Sequence, residues 1–274
     1  NAESVTRSGI DALDAVAIEL GAKSVKPVFN MEINGDLKRE MDMHRWFTVE
    51  LDEELDIETV AQKYAALKEV NRVQYSTILK RPKVQAAPAP ESFATRADVK
   101  MPFNDPMLEM QWHYNNRGLK SVFTDAKAGE DIGAARAWKY TTGNPEVIVA
   151  VVDEGVKYDH PDLAQNMWVN QAELNGTEGV DDDKNGYVDD IYGLNAVKGN
   201  GNITWDIQAW SGDEYVGDSG HGTHVAGTVA AVSNNGLGVA GVAGGNGTGN
   251  GVRIMSIQIF DGADDTSLSS NARG

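Results

Sequence analysis

The chain has no cysteine among its 274 residues, which excludes a disulfide framework, a thiolate zinc site and a cysteine nucleophile. No apolar run approaches the ~20 residues that a membrane-spanning helix needs. Basic residues are scarce, 24 Lys and Arg against 41 Asp and Glu, and the net charge of −17 would repel nucleic acid and anionic membrane surfaces alike. No internal repeat is evident. A nucleotide-binding α/β domain using Asp153 on a ribose is a distant rival reading, because no G-x-G-x-x-G joins a first strand to its helix. What is present is enough apolar material, 41% of residues, to build a core and rule out wholesale disorder. At ~100–200 residues per domain, one or two domains are expected.

The acidity is uneven. Residues 1–99 hold 13 basic and 17 acidic groups, residues 100–274 hold 11 and 24. In the first part, Ile10, Leu13, Val16, Ala17 and Leu20 are spaced for one helix face, stopped by Gly21. Trp46 to Leu51 alternates as a strand. Asp56 reads as an N-cap, with Leu55 and Val60 as a hydrophobic staple, opening a second helical stripe over Ile57, Val60, Ala61, Tyr64 and Leu67. Val73 to Leu79 returns to strand character. Strand, helix, strand is half of a split βαβ layer. We read 1–83 as a small α+β domain, 84–103, rich in Pro and Ala, as an extended linker, and 104–274 as part of an α/β domain.

The second part carries the chemistry. Ile132 to Trp138 is a short helix. The β-branched run Val147 to Val152 reads as a strand buried on both faces, as in a parallel sheet covered by helices. Residues 176–220 read as long surface loops, Val225 to Val232 as helix, and Val252 to Phe260 as another central strand. Asp153 follows the first strand directly, at the carboxyl end where reactive groups gather in open α/β sheets. His221 opens Gly220-His221-Gly222-Thr223-His224-Val225-Ala226-Gly227-Thr228, so it sits in the first turn of a helix, where an imidazole stays neutral and available as a base. His224 is expected to be a packed structural residue. Asp181, Asp183, Asn185 and Gly186 stand at the spacing of a calcium loop, with the Tyr187 carbonyl and Asp189 as further oxygens; alternate hard oxygen ligands around a glycine turn are what Ca²⁺ requires. Tyr192 in place of the twelfth-position Glu means this is not a full EF-hand. The Gly-rich run 244–251 lacks a following Lys-Ser or Lys-Thr and is read as a connector rather than a phosphate loop.

Taken together, Val149-Ala150-Val151-Val152-Asp153-Glu154-Gly155, His160-Pro161-Asp162-Leu163 and His221 to Thr228 resemble the subtilisin family of serine proteases. Asn104-Asp105-Pro106, Gln111-Trp112 and Trp138 resemble the start of the mature domain, and residues 1–83 resemble the propeptide region of the family's precursors. The resemblance implies a parallel-sheet catalytic domain, incomplete here, after a propeptide whose tail, Arg81 to Lys100, would lie in the substrate cleft. It implies an Asp-His-Ser triad, with Asp153 accepting the Nδ1 proton of His221 and polypeptides as substrates. The family's nucleophile lies in a Gly-Thr-Ser-Met-Ala-like helix start, and no Gly-Thr-Ser occurs here. The expectation is therefore a precursor without its nucleophile, inactive alone, completed by a C-terminal half or a second chain that supplies Ser. Glu154 stands where the family more often has Ser or Thr, and is expected to point into solvent. A second structural Ca²⁺ site is implied by the resemblance alone: Asp162 and Asn234 with carbonyls of Val232, Leu237 and Val239. The chain opens at Asn1 without an apolar leader; either a leader was removed or the sequence was trimmed, and the resemblance implies a secreted or cell-surface protein with its signal peptide removed. The alternative is a non-catalytic calcium-binding or inhibitory module in which Asp153 and His221 are relics. The separation of those two side chains distinguishes the readings.

Overall fold

The computed structural model describes residues 7–75 and 101–260, apart from 30, 33, 34, 53, 121–123, 206, 207, 212, 213, 218 and 219. The chain forms two compact units, divided between Ile78 and Leu79.

The first unit contains helix α1 (Asp11–Glu19), strand β1 (Ser24–Pro27), helix α2 (Gly35–Glu40), strand β2 (Phe47–Glu50) and helix α3 (Ile57–Ala65). β1 and β2 pair antiparallel, with Val25 opposite Val49. The apolar stripes of α1 and α3 close one core around Leu13, Val60 and Tyr64, and Ala17, Ala22 and Val25 form a second against Phe47, Val49 and Leu51. Asp56 caps α3, its side chain accepting from Thr59 N at 3.2 Å. The sheet differs from the expected strand-helix-strand order. The partner of β2 is β1, which precedes it; residues 73–75 form no strand, and 76–79 lie outside the described residues. β1 is four residues long and ends in Lys26-Pro27, too short and too polar to announce itself by alternation.

The second unit contains helix α4 (Ala134–Ala137), strand β3 (Ile148–Asp153), helix α5 (Gln171–Leu174), strands β4 (Gly193–Asn195), β5 (Gln208–Ser211) and β6 (Glu214–Gly217), helix α6 (His221–Ala230) and strand β7 (Arg253–Gln258). β3, β7 and β4 make a parallel sheet in that order, and β5 pairs with β6 as a hairpin. This is an α/β arrangement, as expected. α6 lays Ala226 and Ala230 against Val151, Val156, Leu163, Met167, Val252 and Ile254. A neighbouring core joins Leu108, Tyr114, Ala134, Trp138 and Ala240 to Met101 and Phe103, so the packing of this unit begins at Met101, inside the segment read as linker. The rest of that linker, 84–100, lies outside the described residues.

Two expectations for this unit are corrected. β3 is not buried on both faces: Ile148 and Val152 are 49% and 50% exposed. β3 lies at an edge of the described sheet, and only its Val149–Val151 face meets α6. Residues 176–220 are not loops throughout, since they hold β4 and the β5–β6 hairpin. β4 is a fully buried Gly193-Leu194-Asn195. A Cβ at Gly193, where φ is +127°, would stand 2.0 Å from Ser256 O of β7, so glycine is required for the strands to meet at all.

Candidate functional site

The two strands that flank the site end together. Asp153, the last residue of β3, is in register with Gln258 of β7, and its carbonyl accepts from Ile259 N at 2.9 Å. Ser256 and Gln258 are wholly buried and spend their polar atoms locally: Ser256 Oγ accepts from Val156 N, and Gln258 holds Thr204 through both amide atoms. These bonds fix the 153–156 turn at the sheet's carboxyl edge. α6 begins at the same edge. Its N-cap is Gly220 with φ +76°, a left-handed residue without a side-chain cap.

His221, the first residue of α6, therefore faces Asp153. Its Nδ1 lies 2.7 Å from Asp153 Oδ1 and 2.9 Å from Oδ2. A carboxylate only accepts, so Nδ1 carries the hydrogen, which in a neutral imidazole leaves the lone pair on Nε2. The imidazole side chain is 35% exposed and Asp153 15%: the carboxylate is sheltered and the imidazole remains reachable. Lys157 N donates to Thr223 Oγ1 at 2.9 Å and ties the loop after β3 to the first turn of α6. His224, one turn along, is exposed rather than packed.

Glu154 is the main correction here. It does not point into solvent; it is 4% exposed, and its Oε2 accepts from His221 N at 3.2 Å. Its own amide donates to Asp153 Oδ1 at 2.7 Å. A Cβ at Gly222 would stand 2.2 Å from Glu154 O, so the contact of α6 with this turn needs glycine there.

The acidic loop is assembled by a residue outside its sequence pattern. Glu173 of α5 is 4% exposed; its Oε1 accepts from Asp182 N and Asp183 N, and its Oε2 from Asp189 N. Carboxylate oxygens of Glu173, Asp181 and Asp183 lie within 4.8 Å of one another. Asp183 and Asp190 share the side-chain amides of Asn170 and Asn185. Burial pushes the Asp190 carboxyl above its ordinary range; Asp183 and Glu173 add to the rise, and the amide hydrogen bonds oppose it. Two expected ligands are used otherwise. Asp189 turns its carboxylate to Gly179 N, and Asn185 Oδ1 accepts from Tyr187 N. Like charges gathered on hard oxygens, with buried members, fit a divalent cation of the Ca²⁺ type.

The second expected set is rearranged as well. Asp162 is 5% exposed; it accepts from Val239 N at 3.0 Å and from Asn235 Nδ2 at 2.8 Å. Asn234, not Asn235, was the expected partner, but it takes the left-handed region at φ +62° and sends its side chain to Asn246 O. Asp105, also buried, accepts from the backbone of both asparagines. Val239 presents its N–H to Asp162. Burial raises the Asp162 carboxyl, and Asp105 adds to the rise. Glu173, Asp190 and Asn235 carried no local motif, and Asp105 was legible only as part of Asn104-Asp105-Pro106.

Comparison with known proteins places this geometry in context. Residues 144–273 match the Subtilase family. The chain is 42% identical over 141 residues to subtilisin-like protease 1 of Plasmodium berghei, covering 51% of this chain and 19% of that one. It is 37% identical over 144 residues to an extracellular basic protease of Dichelobacter nodosus, covering 51% and 21%. Among solved structures, a protease of Pseudoalteromonas arctica aligns at 28% identity over 62% of this chain and 41% of its own, with a TM-score of 0.39. The chain thus spans about a fifth of the length of these curated relatives.

Proposed function

Because residues 144–273 match the Subtilase family, we propose that Asp153 and His221 are the acid and base of a peptide-bond-hydrolysing triad. One observation carries the reading: Asp153 holds Nδ1 of His221 through both carboxylate oxygens, at 2.7 and 2.9 Å. Asp153 fixes the tautomer and stabilises the imidazolium; Nε2 takes the serine proton as Oγ attacks the scissile carbonyl, then delivers it to the leaving amine. A relic pair would be under no such demand for tautomer control, so the non-catalytic alternative is disfavoured.

No Gly-Thr-Ser stands in the 274 residues, so the nucleophile is assigned to polypeptide beyond them, and the family's usual arrangement makes the first unit a propeptide. Polypeptides are the substrates. An extracellular setting follows the Dichelobacter relative, and among the described residues no helix is long and apolar enough to cross a membrane. Structural Ca²⁺ would be held by Glu173, Asp181 and Asp183, and a second ion by Asp162. A bound ion would supply positive charge to neutralise these carboxylates and fasten their loops.

The pure 274-residue chain is expected to release no peptides from casein. Supplied with a polypeptide bearing a Gly-Thr-Ser-Met-Ala helix start, it is expected to gain activity that a serine-directed phosphonate blocks and Asp153→Asn removes. Phosphonate-sensitive release by the chain alone would place the nucleophile within these residues and overturn the assignment; activity indifferent to Asp153→Asn would overturn the triad.

A further inference from the structure

We propose that Glu154 is a positioning residue for the Asp153–His221 pair, fastening the two partners through different atoms of its own. The proposal rests on the reading of that pair as an acid–base couple. A glutamate in the turn after a strand ordinarily reaches water, whereas this one is 4% exposed. A buried carboxylate is tolerated only where donors replace its hydration. One such donor is the backbone N–H of His221, 3.2 Å from Oε2.

That donor needs an acceptor. The first N–H groups of a helix have no partner within it, and α6 has Gly220 at its N-cap, with no side chain to offer one. Glu154 reaches across from the neighbouring turn and caps α6 at the residue whose imidazole does the chemistry. A charged acceptor at the positive end of a helix makes the stronger kind of bond. From its other end, the Glu154 amide donates to Asp153 Oδ1 at 2.7 Å, the same oxygen that lies 2.7 Å from His221 Nδ1. Asp153, Glu154 and His221 thus close a ring in which the Asp153 carboxylate and the backbone of His221 are both tied to Glu154. Glycine permits the closeness on both sides: a Cβ at Gly222 would meet Glu154 O at 2.2 Å, and one at Gly155 would meet Thr204 O at 1.8 Å. The Ser or Thr usual at this position in the family ends two bonds short of where the Glu154 carboxylate oxygens lie.

The test is nuclear magnetic resonance on the isotopically labelled 274-residue chain, reading the exchange rate of the His221 amide and the signal of its Nδ1 proton. Glu154→Ala is expected to speed His221 amide exchange roughly tenfold or more, the loss of a charge-assisted bond, while amides deeper in α6, such as Ala226, stay as they were. The Nδ1 proton is expected to broaden. Glu154→Gln, which keeps an acceptor oxygen, is expected to restore most of the protection, and it also serves should the alanine variant fail to fold. Exchange of His221 that is unchanged in both variants, or that rises in step with the whole of α6, overturns the clamp. Asp153→Asn separates the two readings. It should abolish the strongly hydrogen-bonded Nδ1 signal with Glu154 intact; an Nδ1 signal indifferent to Asp153→Asn sinks the pair itself, whatever Glu154 does.

Discussion

Asp14, in the first unit, shows what a single carboxylate contributes away from the site. Burial works against its charge, but hydrogen bonds from Ser8 N and Ser8 Oγ at 2.8 Å and from Gly9 N at 3.3 Å, with Arg7 nearby, hold the carboxyl below its ordinary range. A folded-state value below the unfolded one adds stability above the unfolded pKa, and that share is lost as pH falls through the folded value. The first unit is therefore expected to weaken progressively below about pH 4. Asp14→Asn should lower its midpoint in urea at neutral pH and flatten the dependence below pH 4, as followed by circular dichroism. An unchanged acid limb would remove Asp14 from the account. His113 makes the opposite case: burial, with the nearby His224, holds its imidazole below the ordinary range, and its Nε2 has no partner among the described residues.

At the scale of elements, the placement of α6 against β3 depends on residues that are small or absent in side chain. Gly222→Ala would drive a methyl group into the Glu154 carbonyl, 2.2 Å away, so α6 must shift. Overpacking of this kind costs about 1–3 kcal/mol, and the shift should part His221 from Asp153, visible as loss of the Nδ1 proton signal. A cavity under the same helix acts differently. Ile254 of β7 is wholly buried against α6, and Ile254→Ala is expected to cost about 2–5 kcal/mol in calorimetry, with the pair left in place. These elements were also the legible ones. The run Val252 to Phe260 reads as a central strand, and β7 does lie between β3 and β4. His221 in a Gly-rich helix start and Asp153 after a β-branched run were readable because period and position are local. β4 was not, because Gly193-Leu194-Asn195 has no strand propensity and exists only by approach to Ser256. The burial of Glu154 was equally hidden: its donor is 67 residues away in sequence, and composition suggested only a surface carboxylate.

Across the whole molecule, individual carboxylates answer acid in opposite senses: Asp14, against its burial, and Asp159 are lowered through hydrogen bonds, whereas others are raised. Asp162 and Asp190 of the second unit have carboxyls raised above the ordinary range, chiefly by burial. A raised folded-state value favours the folded form below the unfolded pKa, and that advantage is lost as pH rises through the folded value. At neutral pH these buried anions work against the second unit, where Asp14 favours the first. Bound Ca²⁺ would reverse the penalty, because the cation stabilises the ionised carboxylates and competes with protons for them. Calcium at a hundred times its dissociation constant adds about 2.7 kcal/mol to any unit that binds it only when folded. Differential scanning calorimetry should therefore show Ca²⁺ raising the melting temperature of the second unit at pH 7, raising it less at pH 5, and leaving the first unit unmoved. Glu173→Gln should shrink the increment, since Glu173 both joins the oxygen cluster and holds Asp182, Asp183 and Asp189 by their amides. A Ca²⁺ increment of equal size at both pH values would mean that the cation does not meet these carboxylates. The surplus of acid in residues 100–274 would then be a matter of solubility alone.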